Sequence, residues 1–176
     1  MDEELLSRQQ PQSLEAEQAV LGSILIDSRC ITDVVGIVKP EDFYLQQNRE
    51  IYEAIYTMFN FSQTIDPVTV LDKLKELCYY HDNSRDYILQ LMEITPTAAN
   101  VARYAAIVQE KSMLRGLNQA ATDIQQMVSE EVGTPAEMLE SAEKKIYALR
   151  KGERGDSLEH IGTTLHKVFD RLTELS

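Results

Sequence analysis

Histidines and paired acidic residues are the side chains of this 176-residue chain that could support catalysis or bind a metal. His160 and His166 are six residues apart on a predicted helix and therefore point to different faces, and His81 stands alone. No cysteine or carboxylate has the spacing that would complete a zinc site with any of them. The acidic pairs Glu41–Asp42 and Glu130–Glu131 fall at predicted turns or helix ends, where capping and solvation explain them. We therefore expect no catalytic residues and no metal ligands.

The glycines and cysteines also argue against an enzyme. None of the seven glycines begins or completes a Gly-x-x-x-x-Gly-Lys-Ser/Thr loop, which excludes ATP hydrolysis by this chain and predicts that it holds no cofactor. Cys30 and Cys78 are too few for a disulfide framework, and we interpret both as small buried hydrophobic residues.

The hydrophobic pattern and the start of the chain bear on its location. No apolar run approaches the roughly 18 residues that a bilayer span requires. The chain also begins with acidic residues, at Asp2–Glu4, where a secretory signal would carry positive charge. We expect a soluble cytoplasmic protein that does not contact a membrane.

The charge is distributed unevenly along the chain, whose formal net charge is −12. Residues 1–95 hold 17 acids and 7 bases, whereas residues 96–151 hold 7 of each. Binding to a phosphate backbone requires clustered lysine and arginine, so we expect no direct grip on nucleic acid. The acidic first half instead favours solubility or a basic partner.

Helical periodicity dominates the sequence, and strand signals are nearly absent, so we predict an all-α fold. Ser13 marks the start of the first helix, and Glu15 and Glu17 in its first turn complement the helix dipole. Gly22 within this helix suggests that another helix crosses closely there. The turn at residues 40–44 is expected to bring its two aromatic residues into a core.

A long helical hairpin follows the first helices. The chain reads as one helix from about Asn100 to Glu131, and residues 133–137 then combine a helix end with a helix start. Gly133 can take the left-handed conformation after the first helix, and Thr134 with Glu137 can form a capping box around the second. So short a connection forces the two helices to be antiparallel.

The hairpin exposes more apolar surface than its two helices can cover on each other, which favours pairing with a second hairpin into a four-helix bundle. The predicted interface residues repeat in steps of three and four along each helix. They are Leu114, Leu117, Ala121, Ile124, Val128, Leu139, Ala142, Ile146 and Leu149.

We therefore divide the chain into a compact multi-helix head (1–96), the hairpin (97–151) and a linker with a last helix (152–176). An apolar stripe on the last helix is expected to dock on another chain or a missing domain, or to fold back on its own domain. Its residues are Leu158, Ile161, Leu165, Val168, Phe169, Leu172 and Leu175.

Four motifs resemble a known family in their order and spacing. They are Pro11–Gly22, Pro40–Tyr44, Ile65–Asp66 with Val68–Val70, and Thr95–Val101 with Tyr104 and Val108. In this part the chain is similar to the amino-terminal domain of bacterial replicative DNA helicases of the DnaB type. It departs from the family at Asn48, where histidine is common, and at residues 78–83, where a glycine-rich turn is common.

The resemblance implies a non-catalytic collar on a hexameric ring, in which hairpins pair between neighbouring subunits to give a trimer of dimers. It implies that the collar recruits primase and influences the helicase loader. It also implies that the linker helix docks on the ATPase domain of an adjacent subunit. That domain would bind ATP, magnesium and single-stranded DNA, and we expect it to follow Ser176.

Two other functions are compatible with the residues alone. A stand-alone helical adaptor or loader-like protein would use the same fold, and it would be distinguished by a reading frame without a phosphate-binding loop after Ser176. A helix-turn-helix DNA binder would read bases with the Val68–Leu77 helix, but the two lysines of that helix are balanced by two acids.

Overall fold

The computed structural model describes residues 10–152. Within this range the chain forms six α-helices and two short 3-10 helices and contains no β-strand, which confirms the all-α prediction. The α-helices are α1 (Leu14–Ile26), α2 (Gln46–Asn60), α3 (Pro67–Glu76), α4 (Ser84–Ile94), α5 (Val101–Ser129) and α6 (Pro135–Gly152). The 3-10 helices cover Ser28–Asp33 and Pro40–Asp42.

The described residues form two compact units, the head (10–115) and the hairpin (116–152). The sequence suggested a boundary after residue 96, but the first half of α5 packs into the head. Val101, Ala105 and Val108 of this helix are buried in the apolar core that α1 to α4 surround. Steps of three and four residues place these side chains on one face of α5, which explains why the helix continues the core.

Phe43 and Tyr44 lie in the extended segment that leads into α2. Phe43 is fully buried and stacks on Tyr52, with 4.7 Å between the ring centroids. Tyr44 is 38% exposed, and the guanidinium of Arg115 lies 5.6 Å from its ring centroid. Successive side chains of extended backbone point in opposite directions, so the prediction that both aromatics enter the core is wrong for Tyr44.

Gly22 lies where α1 crosses α4, as predicted. A Cβ atom at this position would overlap the carbonyl oxygen of Leu91 and the side chain of Thr95. The backbones of the two helices therefore approach more closely than any residue with a side chain would allow.

The N-terminus of α2 is capped by an acidic residue from another helix. The side chain of Glu17 in α1 is buried, and its Oε1 accepts a hydrogen bond from the backbone N–H of Tyr44 at 2.6 Å. Its Oε2 accepts from the N–H of Leu45 at 3.3 Å and from Nδ2 of Asn48 at 2.9 Å. Leu45, the N-cap residue of α2, cannot provide this cap itself. Glu17 therefore lies in the first turn of α1, as predicted, and in addition holds the segment that leads into α2.

Asn48 extends this network to a third helix. Its Oδ1 accepts a hydrogen bond from the hydroxyl of Tyr87 in α4 at 2.6 Å. The Tyr87 oxygen in turn accepts from Nε2 of Gln18 at 3.3 Å, and burial raises the pKa of this hydroxyl. Four polar side chains, those of Glu17, Gln18, Asn48 and Tyr87, thus connect α1, α2 and α4. Glu17 and Asn48 are buried, and Gln18 and Tyr87 are half-buried; we call the four side chains the buried polar network.

Three helices end with a residue in the left-handed conformation that glycine usually takes. These residues are Ser62 (φ 52°), Cys78 (φ 61°) and Glu131 (φ 49°). The next backbone N–H bonds back to the carbonyl oxygen five positions earlier, which defines the Schellman motif. The pairs are Gln63 to Met58 at 2.8 Å, Tyr79 to Leu74 at 2.8 Å and Val132 to Met127 at 3.1 Å.

These helix ends correct two predictions. Glu131, rather than Gly133, occupies the left-handed position after α5, although Gly133 also has a positive φ of 89°. Cys78 is exposed because it lies at the end of α3, and Cys30 is half-buried, so the expectation that both cysteines are buried is wrong.

Candidate protein-interaction surface

The two helices of the hairpin contact each other where Leu149 packs on Gly116 and where Lys145 pairs with Asp123. The side chain of Leu149 occupies the space that a Cβ atom on Gly116 would need. Further along α5, Asp123 accepts a hydrogen bond from Nζ of Lys145 at 2.7 Å, which lowers the pKa of its carboxyl group. Since position 116 meets 149 and position 123 meets 145, the helices are antiparallel, as predicted.

The connection between α5 and α6 contains the predicted capping box. The backbone N–H of Thr134 donates to Oε2 of Glu137 at 2.7 Å, and the N–H of Glu137 donates to Oγ1 of Thr134 at 3.4 Å. The first of these bonds lowers the pKa of the Glu137 carboxyl group. Pro135 is the first residue of α6, where its missing N–H costs no helical hydrogen bond.

Most residues predicted for the interface are exposed in the single chain. The exposed fraction is 39% for Leu114, 42% for Leu117, 58% for Val128, 66% for Leu139 and 40% for Ile146. Ala121 is also exposed, whereas Ile124, Ala142 and Leu149 are half-buried. Leu149 is placed between the two helices, against Gly116.

The exposed residues form one surface because of their position in the sequence. Leu117 follows the inward-facing Gly116 on α5, and Ile146 follows the inward-facing Lys145 on α6. One residue corresponds to a rotation of about 100° around a helix. When two antiparallel helices face each other, a step of one residue from the inward-facing position leads to the same side of the hairpin on both helices. We call this side the apolar face; it consists of Leu117, Ala121, Ile124, Val128, Leu139, Ala142 and Ile146.

Two other apolar residues of the hairpin are exposed and were not predicted as interface residues. Val132 is 54% exposed in the connection, and Tyr147 on α6 is 66% exposed. Tyr147 follows Ile146 directly and breaks the three-and-four spacing on which the prediction depended. Val132 could have been found as an apolar residue inside a polar turn.

The described part of the chain offers little support for other kinds of site. Among residues 10–152, no group of three or more histidine, cysteine or acidic side chains could hold a metal ion. None of the helices in this range combines the length and hydrophobicity needed to span a bilayer. His81 lies 3.2 Å from the carboxylate of Glu50. The residues predicted for linker-helix docking, from Leu158 to Leu175, lie outside the described residues.

Comparisons with known proteins agree with this architecture. The family described as "DnaB-like helicase N terminal domain" matches residues 9–110. The replicative DNA helicase DnaB of Leifsonia xyli is 35% identical over 143 residues, which cover 81% of this chain and 31% of the relative. The corresponding helicase of Geobacillus stearothermophilus is 33% identical over 176 residues, which cover 99% of this chain and 39% of the relative. The chain thus spans less than two fifths of the length of these relatives.

A solved structure is similar over most of the described residues. The crystal structure of the N-terminal domain of DnaB helicase from Mycobacterium tuberculosis superposes with a TM-score of 0.75 and 36% identity. The match covers 80% of this chain and 99% of that one. The sequence motifs, the helical architecture and these matches lead to one conclusion: the chain belongs to the family of DnaB-like helicase N-terminal domains.

Proposed function

We propose that this chain is the non-catalytic collar of a hexameric replicative DNA helicase and that its hairpin pairs neighbouring subunits. The apolar face is the observation that carries this proposal. Leu117, Val128, Leu139 and Ile146 are all at least 40% exposed on one side of the hairpin. A stable soluble protein rarely leaves so many large apolar side chains together in water, so a second apolar face is the natural cover.

The rest of the proposed function follows from the family. The collar would recruit primase and the helicase loader at the replication fork in the cytoplasm. The ATPase activity would come from a separate domain that binds ATP, magnesium and single-stranded DNA, and the linker helix would dock on that domain in the adjacent subunit. The charge supports a collar that does not hold DNA, because the first 95 residues carry a net charge of −10.

The Ile124→Asp and Ile146→Asp variants test the pairing of subunits. Each change would place an unpaired carboxylate in the apolar interface, at a cost of about 3 kcal/mol or more. This corresponds to a dissociation constant raised at least about 100-fold. Analytical ultracentrifugation of the 176-residue chain should therefore show a shift to monomer, and primase should bind more weakly.

The matched control is Gln125→Asp, which adds the same charge at an exposed position next to Ile124 but outside the apolar face. This variant should keep the oligomeric state of the wild type. Circular dichroism should show that the head remains folded in all three variants. Unchanged oligomers in both isoleucine variants would contradict pairing through the apolar face.

A further inference from the structure

A groove of about 690 Å³ runs along α3 on the surface of the head. Its apolar lining comes from Met58 at the end of α2, Val68 and Leu71 on α3, and Tyr80 after α3. Val68 is 75% exposed and Tyr80 is 39% exposed, so these walls meet water in the single chain. A groove of this kind is suited to receive a short segment with an apolar side chain.

The charged side chains of the groove give it local positive charge on an acidic head. Lys73 is paired with Glu76, with 2.9 Å between Nζ and Oε2. Lys75 and Arg85 are exposed, and neither forms an ion pair within the described part of the chain. The lining contains one further carboxylate, that of Asp72. Charges more than about 8 Å away are largely screened at physiological salt, so this local excess of cations favours an acidic ligand.

The connection between α5 and α6 has the matching chemistry. Its first residues, Glu130, Glu131 and Val132, are all exposed, and we call them the hairpin tip. No lysine or arginine lies between Arg115 and Lys144, whereas this stretch of the hairpin holds six acids. Val132 is 54% exposed in an otherwise polar turn, and it does not belong to the apolar face. The hairpin tip is thus an acidic segment with one exposed apolar side chain.

We propose that the hairpin tip of one copy docks in the groove of a second copy. The side chain of Val132 covers the apolar lining, and the carboxylates of Glu130 and Glu131 approach the two exposed cations. This inference rests on the proposed function in one respect, because an assembly of several copies supplies the second groove at a high local concentration.

The helices of the hairpin present the tip to another molecule. α5 is one unbroken helix of 29 residues, about 43 Å long, so it holds the tip away from its own N-terminal half. The capping box of Thr134 and Glu137 fixes the chain directly after the tip. The tip is therefore held in one conformation before it binds, which lowers the entropic cost of docking.

Tip docking differs in kind from pairing through the apolar face. Face pairing uses the same surface on both copies, so it joins only two of them. The tip and the groove are different surfaces, so each docked copy keeps either a groove or a tip for another neighbour. Tip docking can therefore connect one pair of copies to the next. Since the attraction is partly between exposed charges, added salt should weaken it.

Cys78 gives access to the groove because it is exposed and only two residues from Tyr80. Isotope-labelled chains of 176 residues are titrated with unlabelled chains that carry a nitroxide on Cys78 in a Cys30→Ala background. The methyl signals of Val132 should broaden as nitroxide-bearing chains are added, and the titration gives an apparent dissociation constant. Absence of broadening throughout the titration would overturn the proposal.

Charge reversal distinguishes docking from mere proximity of paired copies. The tip variant Glu130→Lys/Glu131→Lys and the groove variant Lys75→Glu/Arg85→Glu should each raise the apparent dissociation constant at least about tenfold, because like charges then meet. When isotope-labelled chains of the tip variant are mixed with nitroxide-bearing chains of the groove variant, opposite charges face each other again and the broadening should return. Broadening that survives both reversals would reflect only proximity and would overturn the proposal.

The matched control for the tip variant is Glu93→Lys/Glu110→Lys. It makes the same change in net charge at two exposed positions of the head that do not line the groove. This control should keep the apparent dissociation constant of the wild type. Equal constants for the tip variant and the control would overturn the proposal. Broadening that appears only when nitroxide and isotopes are on the same chain would assign the tip to its own head and would also overturn it.

These outcomes are separate from those that test the proposed function. Ile124→Asp and Ile146→Asp change the apolar face and leave the residues of the tip and the groove in place. A shift of both variants to monomer, without broadening in the wild-type mixture, would overturn tip docking alone. Unchanged oligomers in both variants, with broadening that responds to charge reversal, would support tip docking and contradict pairing through the apolar face.

Discussion

Replacing Glu17 with glutamine should destabilise the head strongly, even though the two side chains have nearly the same size. The carboxylate of Glu17 accepts three hydrogen bonds, from the backbone N–H groups of Tyr44 and Leu45 and from the side chain of Asn48. A glutamine has only one oxygen and presents an NH₂ group in place of the other. At least one donor would then face another donor in a buried site.

The expected loss follows from these three bonds. If the glutamine oxygen keeps the 2.6 Å bond to Tyr44, the N–H of Leu45 and Nδ2 of Asn48 both lose their acceptor. Turning the Asn48 amide over would rescue one of these donors, but it would remove the acceptor from the Tyr87 hydroxyl. A hydrogen bond to a charged group contributes about 1.5–3 kcal/mol. We expect the free energy of unfolding to fall by about 2–4 kcal/mol.

Urea denaturation followed by circular dichroism measures this change, and amide hydrogen exchange locates it. Tyr44 and Leu45 should exchange faster, because their N–H groups lose the cap. The matched control is Glu15→Gln, which makes the same chemical change two residues earlier on the exposed side of α1. The two variants should differ by at least about 1.5 kcal/mol. Equal stability of the two would refute the assignment of Glu17 as the cap of α2.

Three further changes test other features of the head. Gly22→Ala should lower the free energy of unfolding by about 1–3 kcal/mol in urea titrations, because the methyl group meets the Leu91 backbone. Unchanged stability would exclude the close helix crossing. Cys78→Gly should raise the same free energy by about 0.5–1 kcal/mol, since glycine takes the left-handed conformation without strain. A free energy of unfolding below that of the wild type would show that the left-handed conformation of Cys78 carries no strain. A thiol reagent at pH 8 should modify Cys78 well before Cys30, because burial raises the pKa of Cys30 to about 11 and leaves about 0.1% thiolate. Equal rates of modification at Cys78 and Cys30 would contradict this difference in reactivity.

Local sequence signals predicted the parts of the fold that depend on neighbouring residues. Pro135, Thr134 and Glu137 act within one turn of helix, so their positions alone indicated the start of α6. The cap at the start of α3 has the same local character, because Asp66 accepts from the N–H groups of residues two and three positions later. Gly22 was also informative, because glycine weakens a helix interior and is typical of positions where a second backbone packs closely.

The sequence could not predict contacts that depend on how the helices are arranged. Glu15 and Glu17 look equivalent in the first turn of α1, but only Glu17 faces the start of α2 and is buried. The prediction of the apolar face from the sequence was limited in a similar way. The spacing placed its residues in one row along α5, but it did not show that Gly116, one residue before Leu117, faces α6. Small residues carry little hydrophobic signal, although they allow two helices to pack closely.

The buried polar network also restricts how the helices of the head can be aligned. Apolar side chains are largely interchangeable, so an apolar stripe by itself would tolerate a shift of one helix along another. A shift of α4 by one turn, about 5.4 Å, would separate Tyr87 from both Asn48 and Gln18. The amide oxygen of Asn48 would then lose its partner inside the head, which is costly because Asn48 is fully buried. The network therefore selects one alignment among several that hydrophobic burial would accept, and it gives the head a single folded arrangement.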